Sequence, residues 1–136
     1  MLVVNSGRPE QRRVHSGEAD WRQAFDLLAA VEPEEGPPLA AMLADDGHVA
    51  GRALELAVVT ASLPPRLVER LVERSLGSRT LSVILVDAAS FAGAPRERFP
   101  ELLRLQAAGV AGVVLRSGDD LAERLGAAEV REAARA

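Results

Sequence analysis

Short apolar runs alternate along the chain with stretches in which apolar residues recur every three or four positions. The runs predict buried β-strands, and the wider spacing predicts amphipathic helices between them. The clearest unit is the apolar run 54–59, which ends at Thr60-Ala61-Ser62 and is followed by two prolines that open a helix. We expect this run to be the buried strand around which the helices pack. Strand, short turn and helix in this order are typical of a parallel α/β sheet.

The same pattern extends over most of the chain. The predicted strands are 2–4, 11–15 (a charged edge strand), 54–59, 80–86 and 110–115. The predicted helices are 18–31, 39–44, 65–76 and 100–108, followed by a last helix after residue 120. In helix 18–31 the spacing of Trp21 and Phe25 predicts that both aromatic side chains pack against the sheet. Ser117 and Asp120 resemble a capping box, with Ser117 as the N-cap of the last helix.

These elements predict a Rossmann-like α/β protein, a three-layer sandwich with a mostly parallel sheet of four to five strands. With 136 residues the chain has the length of one domain. We place that domain at 1–126 and expect 127–136 to be a helical or frayed tail.

Composition narrows the possible functions. The net charge is −4, every basic residue is arginine, cysteine is absent and aromatic residues make up 3%. Disulfides and cysteine-ligated metals are therefore excluded. Without a basic patch and aromatic platforms, we expect no nucleic-acid binding. Since no apolar run approaches the length of a membrane span, we expect a cytoplasmic chain without one.

Small and polar residues follow the predicted strands, where α/β sheets collect their ligands. These candidate contact residues are Asn5, Ser6, Thr60, Ser62 and Asp87. They form a rim for a ligand or partner, or they serve only as turn and capping residues, which such connections need in any case. No glycine-rich phosphate loop or nucleophile elbow is present, and both histidines fall in turns. We assign no catalytic residue, cofactor or metal.

The order of elements resembles a known family. The segments that carry the resemblance are Leu2–Asn5, the helix ending at Val31-Glu32-Pro33, Gly36-Pro37-Pro38-Leu39, the strand to Val59-Thr60, Val83–Asp87, Leu102-Leu103, Gly109-Val110, Val113–Arg116 and Gly118–Leu121. Together they resemble the latter part of a von Willebrand factor A-like (vWA-like) domain. More narrowly, the chain is similar over 1–126 to the C-terminal end of uncharacterised bacterial proteins encoded beside MoxR-type AAA+ ATPases.

The resemblance implies a metal-ion-dependent adhesion site, from which this sequence departs. Such domains coordinate a divalent cation through Asp-x-Ser-x-Ser, a loop threonine and an aspartate after a later strand. Here Asp-x-Ser-x-Ser is absent, Pro37 stands in the loop position and Ala61 replaces the aspartate. Hydroxyls such as those of Thr60 and Ser62 hold a divalent cation poorly without carboxylates. We therefore expect a degenerate site that binds no metal.

The resemblance also implies a first central strand upstream of Leu2, which this sequence lacks. Its absence would leave two strand edges unpaired, so we expect a homodimer or strand exchange. The resemblance further implies a MoxR-type AAA+ ATPase as the partner. It also implies a location at the inner face of the membrane, through the missing upstream region.

Three functions follow from these observations. The first is a non-enzymatic protein–protein interaction module with a degenerate adhesion site. The second is a small Rossmann-like enzyme or nucleotide-binding domain that uses Asp87, Ser62 and Asp119. The third is a fragment without independent function.

Overall fold

A computed structural model describes residues 1–8, 10–15, 17–32, 36–77, 79–94 and 98–126. The chain divides into two compact units, Met1–Arg52 and Ala53–Ala136. The expected tail, 127–136, lies outside the described residues. That 1–126 forms one domain stays a prediction, and each unit is described by itself.

The first unit contains a two-stranded antiparallel sheet and three helices. Its elements are β1 (Leu2–Val4), β2 (Glu10–Arg12), α1 (Glu18–Ala30), α2 (Leu39–Ala44) and α3 (Val49–Arg52). β1 pairs with β2, with Val3 opposite Gln11. Both strands, α1 and α2 confirm the predicted pattern, whereas α3 was not predicted. The short strands do not belong to the parallel sheet, so the prediction of one larger sheet is wrong here.

The aromatic face of α1 corrects the sequence prediction. Trp21 is 52% exposed and Phe25 63% exposed, although both were expected to pack against a sheet. Their rings lie 6.2 Å apart between centroids and contact each other. The buried face of α1 instead carries Ala24 and Leu27. The apolar stripe of this helix is therefore wider than the face it buries.

The second unit is a parallel sheet flanked by helices. Its elements are β3 (Glu55–Thr60), α4 (Pro65–Ser75), β4 (Thr80–Val86), α5 (Ala88–Phe91), α6 (Pro100–Ala107) and β5 (Ala111–Leu115), with further helical residues at 121–126. The strand order is β3-β4-β5, and both pairings are parallel. The unit is Rossmann-like at this coarse level, as predicted, whereas the three-layer arrangement stays a prediction. The short helix α5 was not predicted.

Both long helices of this unit lie on one face of the sheet. Two successive right-handed crossovers in the same direction place their helices on the same side. In agreement, α4 contacts α6 and β4, and α6 contacts β5. The core between them is apolar and consists of Val58, Leu67, Val68, Leu71, Leu81, Val83, Leu85, Leu102, Leu105 and Val110. On the opposite face Ile84 and Val113 are only half-buried.

β3 is less buried than its apolar sequence predicts. Within the described part of the chain it pairs with β4 alone and forms an edge of the sheet, so β4 is the central strand. Val58 is buried against the helices, but Val59 on the other face is 63% exposed. The prediction of a buried central strand at 54–59 is therefore wrong, although its bounds are nearly right.

The last helical segment is capped by a different residue from the one predicted. The Asp120 Oδ1 atom accepts a hydrogen bond from Glu123 N at 3.0 Å, and the helical residues begin at 121. Asp120 is thus the N-cap, in place of Ser117. Across the described ranges, the helices are all too short or too polar to cross a membrane.

Replacing Gly36 with alanine should destabilise the first unit. A Cβ atom at this position would lie 2.5 Å from the Ser6 carbonyl oxygen and 2.9 Å from Asn5 Oδ1. Because one of these atoms is backbone, relief requires a shift of the chain, and we expect a loss of about 1–3 kcal/mol. Urea unfolding followed by the fluorescence of Trp21, the single tryptophan, measures this loss.

Gly126→Ala is the matched control, since none of the residues that the structure describes lies within 4 Å of a Cβ atom there. It should change the unfolding free energy by less than about 0.5 kcal/mol. Equal stability of the Gly36→Ala variant and the original chain would contradict the close approach.

Candidate functional site at the carboxyl edge of the parallel sheet

The three parallel strands end at one edge of the sheet, which we call the carboxyl edge. Thr60 is the last residue of β3, Asp87 directly follows β4 and Arg116 directly follows β5. Parallel pairing brings these ends to the same side. Thr60, Ser62 and Asp87 of the predicted rim therefore belong to one edge of the second unit.

The turn after β3 is closed by hydrogen bonds within itself. Thr60 Oγ1 accepts from Ser62 N at 3.3 Å and donates to the Ser62 carbonyl oxygen at 2.9 Å. Such a turn replaces backbone pairing where the strand ends. Ala61 and Ser62 are exposed. The Thr60 hydroxyl is therefore bonded locally, and Ala61 and Ser62 form the accessible part of this turn.

Asp87 is the buried centre of the carboxyl edge, with 1% of its surface exposed. Its backbone N–H donates to the Leu115 carbonyl oxygen at 2.9 Å and extends the β4–β5 ladder. Its Oδ1 atom accepts from Ser90 N at 3.3 Å and caps α5. Its Oδ2 atom accepts from Arg116 Nε at 3.1 Å. Both carboxylate oxygens are therefore engaged within the protein.

The loops after β4 and β5 are joined through the same network. Ser117 N donates to Ser90 Oγ at 3.0 Å. Arg116 N donates to Asp119 Oδ2 at 3.0 Å, and Asp119 forms an ion pair with Arg124 at 3.4 Å. Two aspartates thus face two arginines, so the network carries no net charge. Its hydrogen bonds hold the two loops in one arrangement.

Asn5, Ser6 and Pro37 belong to the first unit, where they lie close together. Asn5 Nδ2 donates to the Pro37 carbonyl oxygen at 3.0 Å. Ser6 is buried, and its hydroxyl donates to the Arg8 carbonyl oxygen at 2.8 Å. These bonds fix the turn after β1 against the loop at 36–37. The roles assigned to these residues, and to the rim as a whole, stay predictions.

The residues at the carboxyl edge do not fit the divalent cation that the family resemblance implies. A hard cation requires several oxygens that converge on one point, carboxylates above all. Here the Asp87 carboxylate is neutralised by Arg116, and Ala61 offers no side-chain oxygen. Among the residues that the structure describes, groups of three or more histidine, cysteine or acidic side chains with a metal-binding arrangement are absent.

The sequence prediction placed Arg116 at a strand end of the same rim but missed its pairing with Asp87. Arg116 had a recognisable signal, because it follows a strand that ends at the same edge and carries the opposite charge. The register pairs Val86 with Leu115, and therefore places Asp87 and Arg116 side by side. A strand order predicted in advance would have identified the pair.

The fold and this edge define a helix-flanked parallel α/β protein of the broad Rossmann-like class. No protein-family model, curated protein or solved structure matches the chain.

Asp87→Asn should lower the free energy of unfolding by about 1–3 kcal/mol. The amide keeps an oxygen for Ser90 N but removes the carboxylate charge that Arg116 Nε contacts, and weakening a buried ion pair on one side is costly. The cost falls below the usual maximum because Arg116 keeps 21% of its side chain exposed. Chemical denaturation of Asp87→Asn, Arg116→Gln and the double variant measures the coupling energy.

In this cycle we expect the sum of the two single-variant losses in unfolding free energy to exceed the loss in the double variant by about 0.5–3 kcal/mol. Ser62→Ala is the control, because its side chain is exposed and the turn bonds use its backbone. Strictly additive losses would show that the pair contributes no coupling.

Calorimetric titration with Ca²⁺ or Mg²⁺ should show no sub-millimolar binding at the carboxyl edge. The Arg116 guanidinium lies against the carboxylate that a cation would need. Sub-millimolar binding that disappears in a Ser62→Ala variant would contradict this expectation.

Proposed function

We propose that this chain is a non-enzymatic protein–protein interaction module with a degenerate metal-ion-dependent adhesion site at the carboxyl edge. The observation that carries the proposal is the Asp87–Arg116 ion pair, 3.1 Å long and buried on the aspartate side. In an adhesion site a carboxylate at such an edge holds a cation, whereas here an arginine of the same chain neutralises it. Of the adhesion-site positions that the resemblance implies, Ala61 lies at this same edge, directly after β3, next to a strand end whose buried carboxylate, Asp87, is paired within the chain.

The geometry also favours a binding surface over a catalytic one. A general base or nucleophile must reach a substrate with a free lone pair or proton. Asp87 is 1% exposed and both its oxygens accept hydrogen bonds within the protein, so its carboxylate is not accessible to a substrate, and the Thr60 hydroxyl is bonded within its turn. A prearranged surface loses little conformational entropy on association, which favours binding. The partner would contact the exposed residues Ala61 and Ser62.

The family resemblance supplies the partner to test, a MoxR-type AAA+ ATPase, and an assembly at the cytoplasmic face of a membrane. Both parts of the proposal rest on the resemblance. The structure contributes the surface on which such a contact can be tested, namely the turn 60–62 at the carboxyl edge.

Ser62→Arg should reduce binding of a purified MoxR-type ATPase from the same genome at least about tenfold, or 1.4 kcal/mol. The added side chain would stand out from the centre of the proposed contact and leave the turn's backbone bonds intact. Biolayer interferometry with the immobilised full chain measures the affinity. Ala107→Arg is the matched control, since it adds the same charge to an exposed position in the last turn of α6.

Three results would overturn the proposal. One is equal loss of ATPase binding in both variants, and a second is no binding by the original chain at concentrations up to about 100 µM. The third is a nucleotide or metabolite that raises the melting temperature of the original chain and fails to do so with Asp87→Asn, which would favour the enzyme or nucleotide-binding alternative.

A further inference from the structure

The outer edge of β3 carries a row of backbone groups directed away from the sheet. Thr80 N donates to the Leu54 carbonyl oxygen at 2.9 Å, so even-numbered residues of this strand direct their backbone towards β4. Backbone direction alternates along a strand. Glu55, Ala57 and Val59 therefore direct theirs outwards, and all three side chains are exposed. In the described part of the chain no strand pairs with this row.

The opposite edge of the same sheet carries a side chain on one of its outward backbone groups. The Leu115 carbonyl oxygen accepts from Asp87 N, so odd-numbered residues of β5 face β4 and Gly112 faces outwards. The Gln106 side chain, from α6, donates through Nε2 to the Gly112 carbonyl oxygen at 3.0 Å. A side chain thus occupies one outward acceptor of β5.

β3, by contrast, contains no proline or glycine, and its single charge is at Glu55. An edge strand with open backbone groups, one charge and no proline or glycine can accept another strand.

A stripe of arginines on α4 lies beside the open edge. Arg74 donates through Nη2 to the carbonyl oxygen of Ala53, which leads into β3. Ser75 Oγ donates to the Ala108 carbonyl oxygen at 3.2 Å, so the other flank of α4 faces α6. Residues four positions apart share one side of a helix. Arg66 and Arg70 therefore continue the Arg74 flank on the β3 side, and both are exposed.

We propose that the open edge of β3 binds an extended acidic segment of a partner protein as an added strand. The outward backbone groups at Glu55, Ala57 and Val59 would supply the hydrogen bonds. Arg66 and Arg70 would select for acidic side chains on the covered face of the sheet. In this mode of recognition main-chain bonds provide affinity, and flanking side chains provide specificity.

Charge distinguishes this occupant from a second copy of the chain. Two copies paired antiparallel through β3 would keep their α4 helices on the same face of a joined sheet. Their Arg66 and Arg70 stripes would then face each other, and like charges oppose such pairing. Glu73 offsets only part of this charge, because its 2.8 Å ion pair with Arg70 is exposed on both sides and is therefore weak.

The test uses the full chain and a capped peptide of about eight residues with alternating valine and glutamate, long enough to span a typical strand. A valine–lysine peptide of equal length is the control ligand. Fluorescence anisotropy measures affinity, and NMR hydrogen exchange measures protection of the Ala57 and Val59 amides. We expect one glutamate peptide to bind per chain, slower exchange at both amides, and at least about tenfold weaker binding of the lysine peptide.

Two variants locate the binding surface. Ala57→Pro removes an outward N–H that makes no bond to β4, and its ring obstructs an added strand, so binding should be lost. The double variant Arg66→Glu/Arg70→Glu should weaken binding of the glutamate peptide at least about tenfold while the edge remains intact. Arg104→Glu, an exposed position on α6, should leave affinity unchanged. If Ala57→Pro fails to fold, the arginine variant still decides.

Several results would overturn this proposal. They are equal binding of both peptides, binding without protection of the Ala57 and Val59 amides, and no binding at about 200 µM peptide. Self-association of the chain that is lost in Ala57→Pro would also overturn it, because the occupant would then be a second copy. The Ser62→Arg variant should bind the peptide normally. Failure of the ATPase contact and failure of the strand-addition site are therefore separate results.

Discussion

The handedness of the two crossovers in the second unit determines most of its surface. Because both run in the same direction, α4 and α6 share one face and bury alternate residues of β4, namely Leu81, Val83 and Leu85. The other face and the edge at β3 receive no helix from this arrangement. The exposed Val59 follows from the same constraint. The surfaces available for partners are thus a consequence of topology as much as of local sequence.

Much of this fold could be predicted from the sequence, because apolar spacing identifies individual elements directly. All five predicted strands and the helices α1, α2, α4 and α6 are present, with bounds shifted by a few residues. Spacing does not reveal which strand is central, since an apolar run such as 54–59 has the same pattern at an edge. The face that α1 buries was missed for a related reason: burial depends on what lies opposite a helix.

The candidate site was predictable in its location and less so in its chemistry. Strand ends identify the carboxyl edge, so Thr60, Ser62 and Asp87 were found from the sequence. Predicting which charges meet at this edge requires the strand register, because Arg116 lies 29 residues from Asp87 in the chain. Short-range motifs cannot show such a pair. The short helix α5 was also missed, since one turn held by the Asp87 cap leaves little periodicity to detect.

The Gln106 side chain on the Gly112 carbonyl oxygen has a consequence for assembly. A sheet that can be extended from both sides can recruit units without limit and grow into a fibre. Here the amide of Gln106 occupies one outward acceptor of β5, so strand addition is disfavoured on that side compared with β3. An assembly built through this sheet would therefore favour the addition of one strand at β3 over growth into a fibre.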